Sequence, residues 1–205
     1  VRELLPGQCA EFDANTGHLS LRRYWYLTDH EHPDDFAATV RRLRELLLDA
    51  IHRQLVADVP VASLLSGGLD SSILASVADA AFVKAGKTLH TFSVGYKDNK
   101  RYFHATKFQP GADAPFIRLM NESLQATHHW VTLDTPQLVQ ALYRAVDARD
   151  LPGMADVDAS LLEFCRCIKP HATVALSGEC ADEIFGGYPW YRDPAVREKY
   201  GFPWA

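Results

Sequence analysis

Apolar and polar positions change their period several times along the chain. Phe36, Val40, Leu43, Leu47, Ile51 and Leu55 recur at intervals of three and four, the repeat that lays one apolar stripe along an amphipathic helix. That helix is expected to open near Pro33, with Asp34 and Asp35 in its first turn, where negative charge suits the helix dipole. The pattern then changes. Val59–Leu65 is a short apolar run of the kind found in buried strands, Ser66–Gly68 breaks it, and Ser71–Ala81 is small, apolar and helix-compatible. Thr88–Val94, His129–Leu133 and Ala172–Leu176 read as further strands, and Asp113–Leu124, Thr135–Val146 and Ala159–Ile168 as helices. Thr135 followed by Pro136 carries an N-cap and first-turn signature. Strands alternating with helices predict an α/β fold, a parallel sheet flanked by helices on both faces. Residues 1–32 lack such periods. Turn signals at Pro6, Gly7, Asn15 and Gly17 and short β-like pieces at Leu19–Leu21 and Tyr24–Leu27 describe an irregular entry segment, and Lys97–Gly111 a polar loop without an assigned element.

Composition narrows the function classes. With 205 residues there is room for one α/β domain, or one domain and a linker. The net charge of −5 offers nothing to attract a polyanion, which argues against a nucleic-acid partner. No apolar run approaches membrane-spanning length, and no basic-then-apolar start suggests secretion. Cys9, Cys165, Cys167 and Cys180 include no C-x-x-C pair, and Cys165 and Cys167, two apart in a helical pattern, point to different sides. Free thiols in a reducing cytoplasm are expected.

The first candidate site is SGGLDSS at 66–72, between a buried strand and a helix. Gly67 and Gly68 let the backbone bend sharply and approach a ligand. Ser66, Ser71 and Ser72 offer hydroxyls, and the helix start points free N–H groups back at the loop, a combination suited to phosphate oxygens. Asp70 would repel phosphates unless a cation sits between them, so Asp70 is expected to hold Mg²⁺ on a pyrophosphate. No G-x-x-x-x-G-K-[ST] occurs, so this is a different class of phosphate loop.

The second candidate site, SGECADEIFGGY at 177–188, follows the last strand directly. Ser177 and Gly178 stand where open α/β sheets bind ligands, beyond a strand's carboxyl end. Glu179, Asp182 and Glu183 place three acids within five residues. A helical turn starting near Cys180 lets Glu179 share a side with Asp182 or Glu183, able to hold Mg²⁺ or orient an amino group.

With LLSGGLDSS (64–72), TFSVGY (91–96), THH (127–129) and LSGECADEIFGGY (176–188), the chain from about Pro33 onward resembles the asparagine synthetase family, within the ATP pyrophosphatases that carry an SGGxDS loop. The loop alone would also admit GMP synthetase, argininosuccinate synthetase and tRNA-thiolating enzymes; the longer second string is the more specific. The resemblance implies a Rossmann-like, adenine nucleotide alpha hydrolase-like domain that forms asparagine. Aspartate's side-chain carboxylate would attack the α-phosphorus of ATP, pyrophosphate would leave, and ammonia released from glutamine by a separate glutaminase domain would displace AMP. By the same resemblance Leu64, Val94, Ser177 and Gly178 would hold adenosine. Ser66, Gly67, Gly68, Asp70, Ser71 and Ser72 would cradle pyrophosphate and Mg²⁺. Glu179 and Asp182 would act at the carboxylate-activation site, Asp182 also as a metal ligand. Residues 1–32 would be a linker or the trailing edge of the glutaminase domain, and 33–205 the N-terminal part of the synthetase domain, truncated before a lysine thought to stabilise adenylation. The protein would be cytoplasmic, with a homodimer as one expected assembly.

Departures from the family pattern accompany the match. The chain begins with Val1 where the glutaminase domain has a cysteine nucleophile, and Cys180 stands where the string commonly has glycine. The loop before the Ala159 helix, often arginine-containing, reads MADVDAS with Asp156 and Asp158. Those acids keep open a β-lactam synthetase-like enzyme acting on another carboxylate. A non-catalytic nucleotide-binding regulatory protein is the rival from another class. His128 and His129 begin a strand whose alternation points at most one of them inward. His30 and His32 stand among acids, in what reads as a solvated loop. Tyr188, Trp190, Tyr191, Phe202 and Trp204 form an aromatic stretch that needs a packing surface.

Overall fold

The computed structural model describes residues 3–105 and 111–194, and the chain divides into two compact units, Val1–Leu43 and Arg44–Ala205. The first unit holds β1 (Gln8–Asp13) and β2 (His18–Arg23), an antiparallel hairpin in register from Gln8↔Arg23 to Asp13↔His18. The entry segment is therefore more regular than its sequence suggested. Asp13 makes the turn: its carboxylate accepts hydrogen bonds from Asn15 N at 2.8 Å and Thr16 N at 3.4 Å, which hold its pKa below the usual carboxylate value. Leu19–Leu21 lies within β2, whereas Tyr24–Leu27 is not strand. His30 and His32 bond Thr28 and Thr39 hydroxyls, each at 2.8 Å.

α1 (Phe36–Gln54) starts three residues after Pro33, and the Asp35 carboxylate accepts from Ala38 N at 2.7 Å. Only part of its apolar stripe is covered. Ile51 is buried and Leu47 and Leu55 pack beside it, while Phe36, Val40 and Leu43 stay exposed. Periodicity shows which side of a helix can be buried, not whether a surface meets it.

The second unit continues with β3 (Val61–Leu64), α2 (Leu69–Lys84), β4 (His90–Tyr96), the one-turn α3 (Asn99–Tyr102), α4 (Ala114–Ser123), β5 (Thr127–Leu133), α5 (Thr135–Arg149), α6 (Ala155–Ile168), β6 (Val174–Leu176), α7 (Ala181–Phe185) and α8 (Pro189–Arg192). The four strands form one parallel sheet in the order β5-β4-β3-β6. On one face Ala62 and Phe92 pack with Phe164 and Ile168 of α6; on the other Val61 and Leu176 pack with Ile51 of α1 and Leu74 of α2. A third cluster, Leu65, Ala75 and Ile117, ties α4 to α2. Both faces are covered, as parallel sheets require.

Three local expectations change. α5 is capped by Asp134, not Thr135: the Asp134 carboxylate accepts from Gln137 N at 3.0 Å, and the Gln137 side chain accepts from Asp134 N at 3.1 Å, a reciprocal capping box. The Lys97–Gly111 loop contains α3, and its residues 106–110 lie outside the described residues. His128 and His129 are both half-buried, on opposite faces, because helices cover both sides of the sheet. Burial holds the pKa of each below the ordinary histidine value, and at His129 the neighbouring imidazoles act in the same direction. Phe202 and Trp204 also lie outside the described residues; Tyr188 stacks on Trp190 with ring centroids 4.2 Å apart.

Candidate functional site

Strand order decides where the site forms. The chain leaves β3 toward β4 and β5, then returns to place β6 on the other side of β3. Neighbouring strands whose connections depart in opposite directions leave a crevice at their carboxyl ends. Ser63 is paired with Leu176, so the loop after β3 and the loop after β6 open side by side. These two loops are the two sequence motifs. Gly178 marks their contact: a Cβ there would stand 2.9 Å from Ser71 N and 3.1 Å from Asp70 Cβ.

The crevice is a cavity of about 450 Å³, within the range of small-molecule sites. Leu64, Ser66, Gly68, Asp70, Ser71, Val94, Ser177, Gly178, Glu179 and Asp182 line it, together with Leu65, Phe92, Ser93, Tyr96, Asp113, Ile117 and Phe164. Gly67 and Ser72 are not among its lining residues. Gly67 has φ +80° and is backed by α4: a Cβ there would stand 2.9 Å from Ile117 N. Ser72 belongs to the first turn of α2, its N–H donating to Gly68 O at 3.1 Å.

The serine hydroxyls hold the loop as well as lining it. Ser66 and Ser71 Oγ atoms are 2.9 Å apart, Ser71 Oγ donates to Gly68 O at 3.2 Å, and Ser66 N donates to Ser71 Oγ at 3.2 Å. No side chain caps α2 at Gly68, so the N–H groups of its first turn remain for an occupant of the loop. Ser93, fully buried, donates from Oγ to Leu65 O and ties the end of β3 to β4. Its neighbour Tyr96 donates from its hydroxyl to Ser160 Oγ at 3.2 Å. Sequence reading passed over Ser93 and Tyr96, although both lie in the TFSVGY string that signalled the family.

The three acids of the second motif separate. α7 begins at Ala181, so Glu179 precedes the helix; Glu179 and Asp182 line the cavity, while Glu183 accepts from the Tyr188 hydroxyl at 3.1 Å and thereby raises the tyrosine's pKa. A Cβ on Gly187 would collide with the Asp182 carboxylate, so the FGGY turn closes directly over that acid. Ser177 Oγ accepts from Glu179 N at 3.2 Å and sets the first residue of the loop against the third. Charge in the cavity is one-sided: Asp70, Asp113, Glu179 and Asp182 line it, and no Lys, Arg or His does among the described residues.

A family model described as asparagine synthase matches residues 42–205. The chain belongs to the asparagine synthase family. Asparagine synthetase (glutamine-hydrolyzing) 3 of Bacillus subtilis is 49% identical over 205 residues, covering 100% of this chain and 33% of that protein. Amidase chry2 of Gibberella zeae is 33% identical over 188 residues, 85% of this chain and 27% of that protein. The chain thus spans between about a quarter and a third of the length of these two curated relatives. Among solved structures it is similar to a glutamine-dependent NAD⁺ synthetase from Acinetobacter baumannii in complex with ADP, with a TM-score of 0.42 and 16% identity over 89% of this chain and 32% of that one.

In this family member Cys180 occupies the N-cap of α7 with φ 71° and ψ 0°. That left-handed conformation is the one glycine adopts without steric cost. It gives a backbone reason for the glycine that the family string commonly carries there. The helix expected from Ala159 begins at Ala155, so Asp156 and Asp158 stand in the first turn of α6; Asp158 is paired with Arg149 at 2.5 Å and faces a second cavity beside α5, not the crevice.

Proposed function

We propose that this domain binds ATP in the crevice and adenylates the side-chain carboxylate of aspartate, releasing pyrophosphate. Ammonia from a glutaminase domain of the same protein then displaces AMP to give asparagine. The observation that carries the proposal is the meeting of the two motif loops at the sheet's switch point, around one cavity lined by hydroxyls and carboxylates. Leu64, the last residue of β3, and Val94, in the carboxyl half of β4, suit the adenosine; the backbone from Ser66 to Ser72 suits the pyrophosphate. Glu179 and Asp182 suit the carboxylate and the incoming amine.

Four lining carboxylates, with no lining cation among the described residues, would repel a nucleotide polyphosphate. The donor set instead fits Mg²⁺, which takes one or two carboxylates with phosphate oxygens. Asp70 and Asp182 would hold it. Bound there, it would neutralise charge on the departing pyrophosphate. The chain's own part is positioning: N–H groups of the α2 start and the Ser66 and Ser71 hydroxyls fix the phosphates where charge develops. No helix of the described residues is long and apolar enough to cross a membrane. We place the whole protein in the cytoplasm, with no nucleic-acid partner.

The test is pyrophosphate release by the full-length protein with Mg·ATP, with and without L-aspartate, beside Asp70→Ala. Aspartate-dependent release that disappears in the variant is expected. ATP binding without aspartate-dependent release would overturn aspartate as acceptor. AMP formation with another carboxylate would then identify a different amide-forming synthetase.

A further inference from the structure

Three histidines meet at the opposite end of the sheet from the crevice. His90 opens β4, His129 is the third residue of β5 in register with Phe92, and His171 lies in the turn between α6 and β6, its N–H donating to Ile168 O at 2.9 Å. His90 Nδ1 and His129 Nε2 are 2.8 Å apart, and the ring centroids of His129 and His171 are 4.3 Å apart. One nitrogen from each ring lies within 4.8 Å of the others, and no other group of three or more potential ligands converges so among the described residues. We infer that His90, His129 and His171 form a binding site for a divalent transition-metal ion, zinc foremost.

Geometry and ligand chemistry both support this. A tetrahedral zinc with bonds of about 2.0–2.1 Å to imidazole needs its nitrogens about 3.3 Å apart. His90 and His129 are slightly closer than that, and all three nitrogens lie within 4.8 Å of one another, so ring rotations and a small movement of the exposed His171 turn would bring them to it. Phe92, 1% exposed, stacks on His129 at 4.5 Å between centroids and fixes that ring from behind. Three neutral imidazoles select zinc, copper, nickel or cobalt over the magnesium that carboxylates prefer. The exposure of His171 leaves a fourth position to water. His90 precedes Val94 by about 13 Å along the strand, and the Phe92 ring, which lines the crevice on one side and stacks on His129 on the other, would separate the ion from the nucleotide. It would clamp β4, β5 and the α6–β6 turn together, and its binding energy would add to the stability of the fold.

The experiment uses the untagged, metal-stripped full-length protein in excess Mg²⁺, titrated with Co²⁺ and then Zn²⁺. Expected are visible cobalt absorption saturating at one equivalent, displacement by Zn²⁺, and a zinc-dependent rise in melting temperature. Loss of a hydrogen-bonding partner to a metal ligand commonly costs about 10–100-fold in affinity. His171→Ala, which removes a ligand on an exposed turn, should therefore weaken binding at least ~10-fold. His171→Cys should restore it with a thiolate charge-transfer band. Asp182→Ala should leave it unchanged. Absence of a cobalt spectrum, or equal affinity in wild type and His171→Ala, would overturn the site.

Discussion

The two glycines of the SGGLDSS loop look equivalent in the sequence, and the tertiary structure makes them opposites. At Gly67 the backbone has φ +80°, and a Cβ would stand 2.9 Å from Ile117 N, 3.0 Å from Phe116 Cβ and 3.1 Å from Asp113 O. Alanine there would incur the left-handed penalty of about 1–2 kcal/mol. It would also incur an overpacking cost of about 1–3 kcal/mol, because two of those three atoms are backbone and cannot turn aside. Gly67→Ala should therefore lose about 2–5 kcal/mol, a large part of the roughly 5–15 kcal/mol typical of a native protein. Gly68 has φ −72° and ψ 166°, open to any residue, and an added Cβ would meet only Ser66 Oγ at 3.5 Å. Its loss as an N-cap costs a few tenths to about 1 kcal/mol, and the lower entropy of the unfolded chain returns about 0.4–1. Gly68→Ala should fold within about 0.5 kcal/mol of wild type, yet bind ATP more weakly because its methyl group enters the cavity. Urea unfolding of both variants, with calorimetric titration of Mg·ATP, separates the effects. Gly67→Ala unfolding at the wild-type midpoint would refute the reasoning, as would Gly68→Ala losing more than about 2 kcal/mol.

Cys180→Gly should raise stability in urea unfolding by about 0.5–1 kcal/mol, because relief of a left-handed cysteine of about 1–2 kcal/mol exceeds the entropy cost of glycine. Asp79→Ala should lose about 1–3 kcal/mol in the same assay. Its buried carboxylate accepts from Gln125 N at 2.9 Å, and that donor would lose its partner. Arg149→Ala should cost no more than about 1 kcal/mol, since the arginine is half-exposed, and should leave Mg·ATP affinity at the wild-type value in calorimetry.

What the sequence determined by itself was local. Hydrophobic period placed β3 through β6 and α1, α2, α4, α5 and α6 within a few residues, because 3.6-residue and continuous apolar patterns follow from the geometry of each element alone. The two motif strings singled out the two loops that line the crevice, because turn glycines, hydroxyls and acids are read at short range. Of the β1–β2 hairpin only Leu19–Leu21 was read as β-like, because its largely exposed strands have no buried face to impose a period. The cap of α5 was misplaced by one residue, because Asp134 and Thr135 are both cap formers and only the reciprocal bonds with Gln137 choose between them. What tertiary structure alone decided was adjacency. The order β5-β4-β3-β6 brings Gly178 against Ser71, puts Glu179 and Asp182 beside Asp70 in one cavity, and sends Glu183 to Tyr188. The same order gathers His90, His129 and His171 from three separate segments. Strand order depends on which helix faces cover which strands, a sum of long-range burial terms that no short window of sequence contains.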